Sequence, residues 1–168
     1  MELKDYFSRL RSGDKEAFIH IYNELKIPVF TIACRIVQSR ESAEDITHDV
    51  FVKLFMSPPD SSVKNLRAWI FQMTRNLSLD ALRKKTHGNI DDVEVSAADE
   101  FDGILTRIDI ERAIGRLTAD EREVLALHLV GELSFKEISR IVGESMPAVY
   151  RKYRKALMSV RNYLNGGE

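Results

Sequence analysis

Residues 133–157 read LSFKEISRIVGESMPAVYRKYRKAL, and the punctuation of this stretch decides how the last third of the chain folds. Ser134 stands where an N-cap belongs, ahead of a short helical pattern whose apolar positions are Ile138 and Ile141. Gly143 then offers a residue that turns left-handed at no steric cost. Ser145 is placed to cap a second helix, and Pro147 falls early enough in it to be tolerated. The spacing of Val149, Tyr153, Leu157, Val160 and Leu164 predicts the inner stripe of that helix, with Arg151, Lys152, Arg154 and Lys155 left largely outside. Cap, helix, glycine turn, cap, helix is a helix-turn-helix. The plainer alternative is an ordinary amphipathic helix with a solvated basic face, and the cap-turn-cap arrangement ahead of it weighs against that.

A second helix of this kind suits the major groove of duplex DNA, its first turns facing base edges and its later basic residues facing phosphates. Met146, Ala148 and Tyr150 are candidates for thymine methyls or sugars, and Arg151 for a guanine or a phosphate. A formal net charge of -1 is no obstacle, because the charge is sorted along the chain. Ser145 to Gly167 holds five Arg or Lys and no acid, whereas Thr86 to Asp109 holds seven Asp or Glu against Arg107 alone.

Working back from the motif, residues 86–103 (THGNIDDVEVSAADEFDG) are polar, acidic and glycine-containing, which predicts a flexible acidic linker. Two roles fit it: a solvated tether, or a set of acids that screens a basic surface until a partner displaces them. The linker divides the chain into domains over 1–85 and 104–168, the second expected to hold four short helices beginning near Ile104. No useful length alternates with a strand period. The expected fold class is all-α, two small helical domains with the helix-turn-helix in the C-terminal one.

In the first domain, Phe18, Ile21, Tyr22, Leu25, Val29, Ile32, Ala33 and Ile36 recur at helical spacing behind a candidate N-cap, Asp14, with Pro28 expected to bend or split the segment. Ser42 is the candidate cap of the next helix, with Asp45 completing a capping box, and Ala43, Ile46, Val50, Phe51, Leu54 and Phe55 its apolar positions. Its polar side gathers Glu44, Asp45, His48 and Asp49, while Val52 and Leu54 extend the apolar surface beyond the obvious stripe, a mixture that suits docking to a partner protein. MSPPDSS (56–62) stops this helix. A third runs from about Lys64 to Lys85, with Leu66, Trp69, Ile70, Met73, Leu77 and Leu82 as its apolar stripe. Asn76, Asp80 and Arg83 share one of its faces and Arg83-Lys84-Lys85 ends it, a combination suited to single-stranded nucleic acid. Asp80 has two roles open to it: holding Arg83 or Lys84 in place, or accepting from a base amino group.

The chain of 168 residues has no apolar run long enough to span a bilayer, and its first residues lack the apolar core of a signal peptide, so a cytoplasmic protein without membrane insertion is expected. Cys34 is the single cysteine, among apolar neighbours, and is expected to be a buried thiol. The four histidines show no metal-ligand spacing, and no phosphate loop or nucleophile elbow is present. No enzymatic activity, cofactor or metal is expected.

The order of these motifs resembles the extracytoplasmic-function (ECF) group of sigma-70-type RNA polymerase sigma factors, over most of the chain from about Ala17 to Leu164. AEDITHDVFVKLF is similar to the group's core-polymerase-binding helix, NLRAWIFQMTRNLSLDALRKK to its −10 reading and melting helix, and ERAIGRLTADEREVLALHLVGELSFKEISRIVGESMPAVYRKYRKAL to its −35-binding region 4. The resemblance implies that Asp45, Asp49, Phe51 and Leu54 serve the surface gripping the clamp helices of the polymerase's largest subunit, Phe51 and Leu54 chiefly by shaping the helix from inside. It implies a base pocket shaped by loop 56–63, with Asn76, Asp80, Arg83, Lys84 and Lys85 at −10 single-stranded DNA. It places Pro147, Ala148, Tyr150, Arg151, Arg154 and Lys155 at the −35 element, and the linker near the polymerase cleft. An anti-sigma factor covering both domains is a further implied partner. His48 stands where the group usually has Gln, Glu144 where an aliphatic is common, and Tyr150 and Tyr153 where a basic residue and a leucine are usual.

The function so implied is promoter-specific initiation with core RNA polymerase on promoter DNA. The alternative is a dimeric helix-turn-helix regulator that binds duplex DNA without polymerase, and a third class is a protein-interaction adaptor built on the 42–55 helix.

Overall fold

A computed structural model describes residues 3–87 and 104–166, and every regular element in them is helical. The helices are α1 (Leu3–Arg11), α2 (Lys15–Val37), α3 (Arg40–Met56), α4 (Leu66–His87), α5 (Ile104–Gly115), α6 (Ala119–Leu129), α7 (Phe135–Val142) and α8 (Met146–Leu164). They form two compact units, α1–α4 and α5–α8. The expected linker lies outside the described residues from position 88 onward. No described helix is long and apolar enough to cross a membrane.

The first unit is built around α2, which packs against α1, α3 and α4. Its start is fixed by Asp14, whose carboxylate accepts from the backbone N–H groups of Glu16 and Ala17. The same carboxylate takes the Arg9 guanidinium of α1 at 2.6 Å, so one side chain joins the two helices and is held below the ordinary aspartate value, chiefly by the Arg9 hydrogen bond. The short α1 had no counterpart among the sequence expectations. Phe7 and Leu10 are its buried anchors.

Pro28 does not split α2, which runs unbroken from Lys15 to Val37. An interior proline costs about 3 kcal/mol through its missing N–H and its clash with the preceding turn. Beyond it, however, Val29, Ile32 and Val37 are buried, each stabilising by roughly 1.5–3 kcal/mol, so packing outweighs the local penalty. Gln38 closes α2 in the left-handed region (φ 52°) and Ser39 at once opens α3, its hydroxyl accepting from the N–H of Ser42. Ser42 is therefore inside the helix and not its cap, a correction of one turn. Cys34 is half-buried.

The buried line of α4 also differs from expectation. Leu66, Ile70, Phe71, Thr74 and Ser78 face the core, while Trp69, Met73, Leu77 and Leu82 are half-buried. Thr74 and Ser78 are tolerated there because their hydroxyls donate back to the carbonyls of Ile70 (2.9 Å) and Thr74 (2.8 Å). Asn65 caps this helix, its side-chain oxygen accepting from Ala68 N–H.

In the second unit three caps come in quick succession. Thr118 and Ser134 each close a full capping box, with Glu121 and Glu137, and Ser145 accepts from Ala148 N–H. Gly143 sits at φ 75°, the left-handed turn that its sequence position called for. The inner stripe of α8 consists of Val149 and Ala156, fully buried, with Tyr153, Val160 and Tyr163 half-buried; Leu157 and Leu164, expected inside, are exposed. The small Ala156 lets α8 approach the core formed with Leu117 and Leu125.

Replacing Pro28 with Ala should restore a hydrogen bond in the middle of α2 and raise unfolding stability by about 1–2 kcal/mol, the gain being trimmed by the looser unfolded chain. Urea titration of both proteins checks this, and a stability that falls would mean the proline ring packs too well to lose.

Candidate nucleic-acid and protein interfaces

On α3 the outward positions are Glu44, Asp45, His48, Asp49 and Val52, continued at the helix end by Phe55 and Met56. Val52 is 43% and Met56 73% exposed, large values for apolar side chains this close together in sequence. Glu44 is held by Arg40 in an exposed i,i+4 pair at 3.0 Å. Asp45 and Asp49 have no ion-pair partner among the described residues, so two carboxylates lie open beside an apolar strip. Phe51 and Leu54 lie at the opposite pole, 4% and 0% exposed. Phe51 meets Phe18 and Tyr22 of α2 edge to face, at 6.4 and 4.8 Å between ring centres. Both side chains therefore belong to the core of this unit and hold α3 against α2.

The outer face of α4 meets the end of α3 at a concavity of about 480 Å³, lined by Lys53, Ser57, Trp69, Gln72, Met73 and Asn76. It opens because the core line runs through Thr74 and Ser78, which turns Trp69 and Met73 partly outward. Of the expected residues only Asn76 lines it. Lys53, Trp69, Gln72 and Met73, which also line it, were not among the expected site residues, although 69, 72, 73, 76, 80 and 83 share one face at spacings of three and four. Further along that face Asp80 pairs with Arg83 at 3.2 Å. Lys84 and Lys85 are exposed at the same end. An aromatic, a thioether and two amides lining one concavity, with cations further along the helix, can stack a base, read its edge and hold its backbone. Asp60, in the loop between α3 and α4, is held below the ordinary aspartate value, first by the Ser62 side chain and then by Ser62 N–H, which tightens that loop.

In the second unit α8 presents Pro147, Tyr150, Arg151, Arg154 and Lys155 outward, with Ala148 half-buried at its first turn. Tyr150, Arg151, Arg154 and Lys155 line a shallow groove of about 440 Å³ with Met158, Ser159 and Asn162. Tyr150 is 44% exposed, yet its ring is fixed from behind by Phe135, edge on at 5.3 Å. Phe135 stacks on His128 at 4.4 Å, and Tyr153 closes the group against both rings, at 4.7 Å from His128 and 5.1 Å from Phe135. His128 is itself oriented by Nδ1, which donates to the carbonyl oxygen of Leu133 at 2.8 Å. One aromatic cluster thus joins α6, α7 and α8 and sets the angle at which α8 is offered. His128 and Phe135 were not singled out from the sequence.

The cations of α8 are not equivalent. Lys155 bonds Glu121 at 2.9 Å; its own side chain is mostly exposed whereas that of Glu121 is buried. Burial alone would push the Glu121 carboxyl up, but the Lys155 ammonium and the Thr118 N–H reverse this and hold it below the ordinary glutamate value. Lys152 bonds both Asp120 and Glu144. Arg151 and Arg154 have no ion-pair partner among the described residues and remain open to a ligand.

Two family models match the chain: Sigma-70 region 2 over residues 21–88, and Sigma-70, region 4 over residues 107–160. The chain is 23% identical to the ECF RNA polymerase sigma factor SigK of Mycobacterium tuberculosis, covering 98% of this chain and 94% of that protein. It is likewise 23% identical to the ECF RNA polymerase sigma factor SigW of Bacillus subtilis, covering 98% of this chain and 97% of that one. In fold it is similar to the sigma factor RpoE solved with the anti-sigma factor NepR from Bartonella quintana, with a TM-score of 0.70 and 21% identity over 88% of this chain and 96% of that one. It is also similar to CnrH solved with the cytosolic domain of CnrY, with a TM-score of 0.67 and 20% identity over 97% of both chains. A region 2 ahead of a region 4 disfavours a stand-alone helix-turn-helix regulator, and between them the two regions span most of the chain. The protein belongs to the sigma-70 family, in its extracytoplasmic-function group.

Proposed function

We propose that this chain is the promoter-specificity subunit of a bacterial RNA polymerase, working from the cytoplasm on DNA that the polymerase alone does not select. The observation that carries the reading is the order of two sigma regions on one chain, each matched over its own helical unit. Residues 1–85 act as the polymerase-docking and −10 domain, 104–168 as the −35 domain, and the acidic stretch 86–103 as the tether between them. The chain makes and breaks no covalent bond. Its work is to lower the free energy of polymerase on one class of promoter.

Each part has a chemical rationale. The open carboxylates of Asp45 and Asp49, beside Val52, suit the clamp helices of the largest polymerase subunit, where charge steers approach and apolar contact holds. The concavity under Trp69 and Met73 receives an unstacked base of the non-template −10 strand, with Asn76 at its edge and Lys84 and Lys85 following the backbone. In the second unit, Pro147, Ala148 and Tyr150 meet bases or sugars of the −35 element, while Arg151, Arg154 and Lys155 meet phosphates or guanines. Each interface is small, and a chain joined to polymerase raises the effective concentration of one reader once the other is bound. An anti-sigma partner belongs to the same reading, since the similar RpoE is solved with one.

The direct test is in-vitro transcription from fragmented DNA of the source bacterium by core polymerase, with and without the protein. Discrete new starts that share two upstream elements at a fixed spacing are expected; their absence, together with dimeric binding to duplex DNA, would overturn the reading. Exchanging Asp45 and Asp49 together for Asn should weaken core-polymerase binding by about threefold to tenfold while leaving the thermal midpoint in place, because both are exposed and have no ion-pair partner among the described residues. Interferometry against immobilised core polymerase reads the first and calorimetry the second. Arg154→Gln should weaken promoter binding across sequences and lower the slope of log affinity against log salt by about one, as expected for one lost phosphate contact. An unaltered slope would remove Arg154 from the phosphate backbone.

A further inference from the structure

Among the basic side chains of α8, Lys152 stands apart. It follows Arg151 by one residue and so lies about 100° further round the helix, on the flank that meets α6. Its side chain is 28% exposed, the least of the ion-paired cations on this helix. Two carboxylates converge on its ammonium: Asp120, in the first turn of α6, at 2.7 Å, and Glu144, in the turn of the helix-turn-helix. That turn is itself fastened, because Ser139 Oγ donates to the carbonyl oxygen of Glu144 at 2.7 Å and the N–H groups of Gly143 and Glu144 both donate to the carbonyl of Ser139. The ammonium therefore sits where α6, the turn after α7, and α8 come together.

We propose that Lys152 is a positioning residue for promoter recognition, a clasp that fixes the angle of α8 against α6 and the turn, and that it makes no phosphate contact of its own. The inference deepens the reading of α8 as the −35 helix and rests on it. Three features support it. Both carboxylates compete with any phosphate for the same ammonium, and Asp120 is additionally favoured where it stands by the positive end of the α6 dipole. The Asp120 carboxylate, then that of Glu144, hold the Lys152 amine above the ordinary lysine value, so the clasp stays charged throughout the neutral range. The aromatic group of His128, Phe135, Tyr150 and Tyr153 braces α8 on the flank that carries Tyr150, whereas Lys152 braces the flank that faces Asp120. A helix held along both flanks keeps Tyr150, Arg151 and Arg154 in register with the groove, and small misplacements there are costly for base discrimination.

Glu144 matters to this account in its own right. An acid directly after the turn glycine places a charge on a surface meant for DNA, which is unfavourable unless the charge is consumed inside the protein. Lys152 consumes it.

The test uses holoenzyme assembled from core polymerase and the full chain, on a promoter duplex selected from a random-sequence library. Lys152→Gln should leave the salt slope of binding unchanged, unlike Arg154→Gln, while lowering discrimination between the selected −35 element and single-base variants of it by roughly threefold to tenfold. Lys152→Arg, which can bond both carboxylates, should restore discrimination. Asp120→Asn should lower discrimination in the same direction, and the Lys152→Gln, Asp120→Asn double variant should be no worse than Lys152→Gln alone. A salt slope that falls by about one in Lys152→Gln would make the lysine a phosphate contact and overturn the proposal. So would additive effects of the two substitutions. If Lys152→Gln fails to fold, Asp120→Asn still decides, since unchanged discrimination there refutes the clasp. Failure of the unaltered holoenzyme to select any promoter would instead defeat the reading of the chain, and would show before any variant is made.

Discussion

Helices as short as α6 and α7, 11 and 8 residues, do not persist in water on their own. What makes them definite is the side-chain oxygen at each start. Asp14, Ser39, Asn65, Thr118, Ser134 and Ser145 each accept from backbone N–H groups that the first turn leaves unpaired. A cap is worth only about 1 kcal/mol, but it also fixes the residue at which the helix begins and the direction from which the chain enters. The caps at Ser134 and Ser145, with left-handed Gly143 between them, hold α7 and α8 as a pair whose mutual angle the aromatic cluster then fixes. Because interfaces in this protein are faces of helices, the location of every candidate contact follows from those starting points.

The legibility of the sequence divides along the same line. The second unit was readable almost throughout, since Ser134, Gly143 and Ser145 are unambiguous punctuation. In the first unit Ser42 followed by Asp45 matched a capping pattern better than Ser39 did, yet the helix begins at Arg40 because Gln38 ends α2 in a left-handed residue and leaves Ser39 extended. The error cost nothing functionally: moving a helix start by one turn leaves its rotation unchanged, so Asp45 and Asp49 still face outward. The misreading of α4 mattered more. Counting apolar residues alone placed Met73 and Leu77 inside, whereas Thr74 and Ser78 occupy the core by satisfying their hydroxyls within their own helix. That displacement of about one residue is what turns Trp69 and Met73 partly outward to line the concavity. On α8 the same habit favoured Leu157 over Ala156, although close packing against α6 needs the smaller side chain. Contacts between distant segments, such as Lys152 with Asp120 or Arg67 with Glu24, leave no periodic trace at all.

Charge counts were a poorer guide than charge pairing. Four cations between 151 and 155 look alike in sequence, but two are engaged by acids of α6 and of the turn, and two are open. Pairing at Lys155 serves the protein, since it compensates the nearly buried Glu121 that also closes a capping box. Its ammonium nonetheless remains exposed on its other sides and can meet a phosphate without abandoning that carboxylate. The same distinction separates Glu44, held by Arg40, from its open neighbours Asp45 and Asp49 on α3.

This sorting explains how a near-neutral protein can read a polyanion. A strongly basic surface would bind any duplex, and the genome would compete for it everywhere. In the proposed reading the acids on Lys152 and Lys155 keep non-specific affinity low, while Arg151, Arg154 and a braced Tyr150 discriminate and Lys155 reaches a phosphate from beside Glu121. Affinity lost in this way is recoverable only if a second site on the same chain is engaged at the same time. In the proposed reading the polymerase-docking face of α3 and the base pocket of α4 supply it, so weak duplex binding by α8 alone is a condition of specificity and not a defect of the fold.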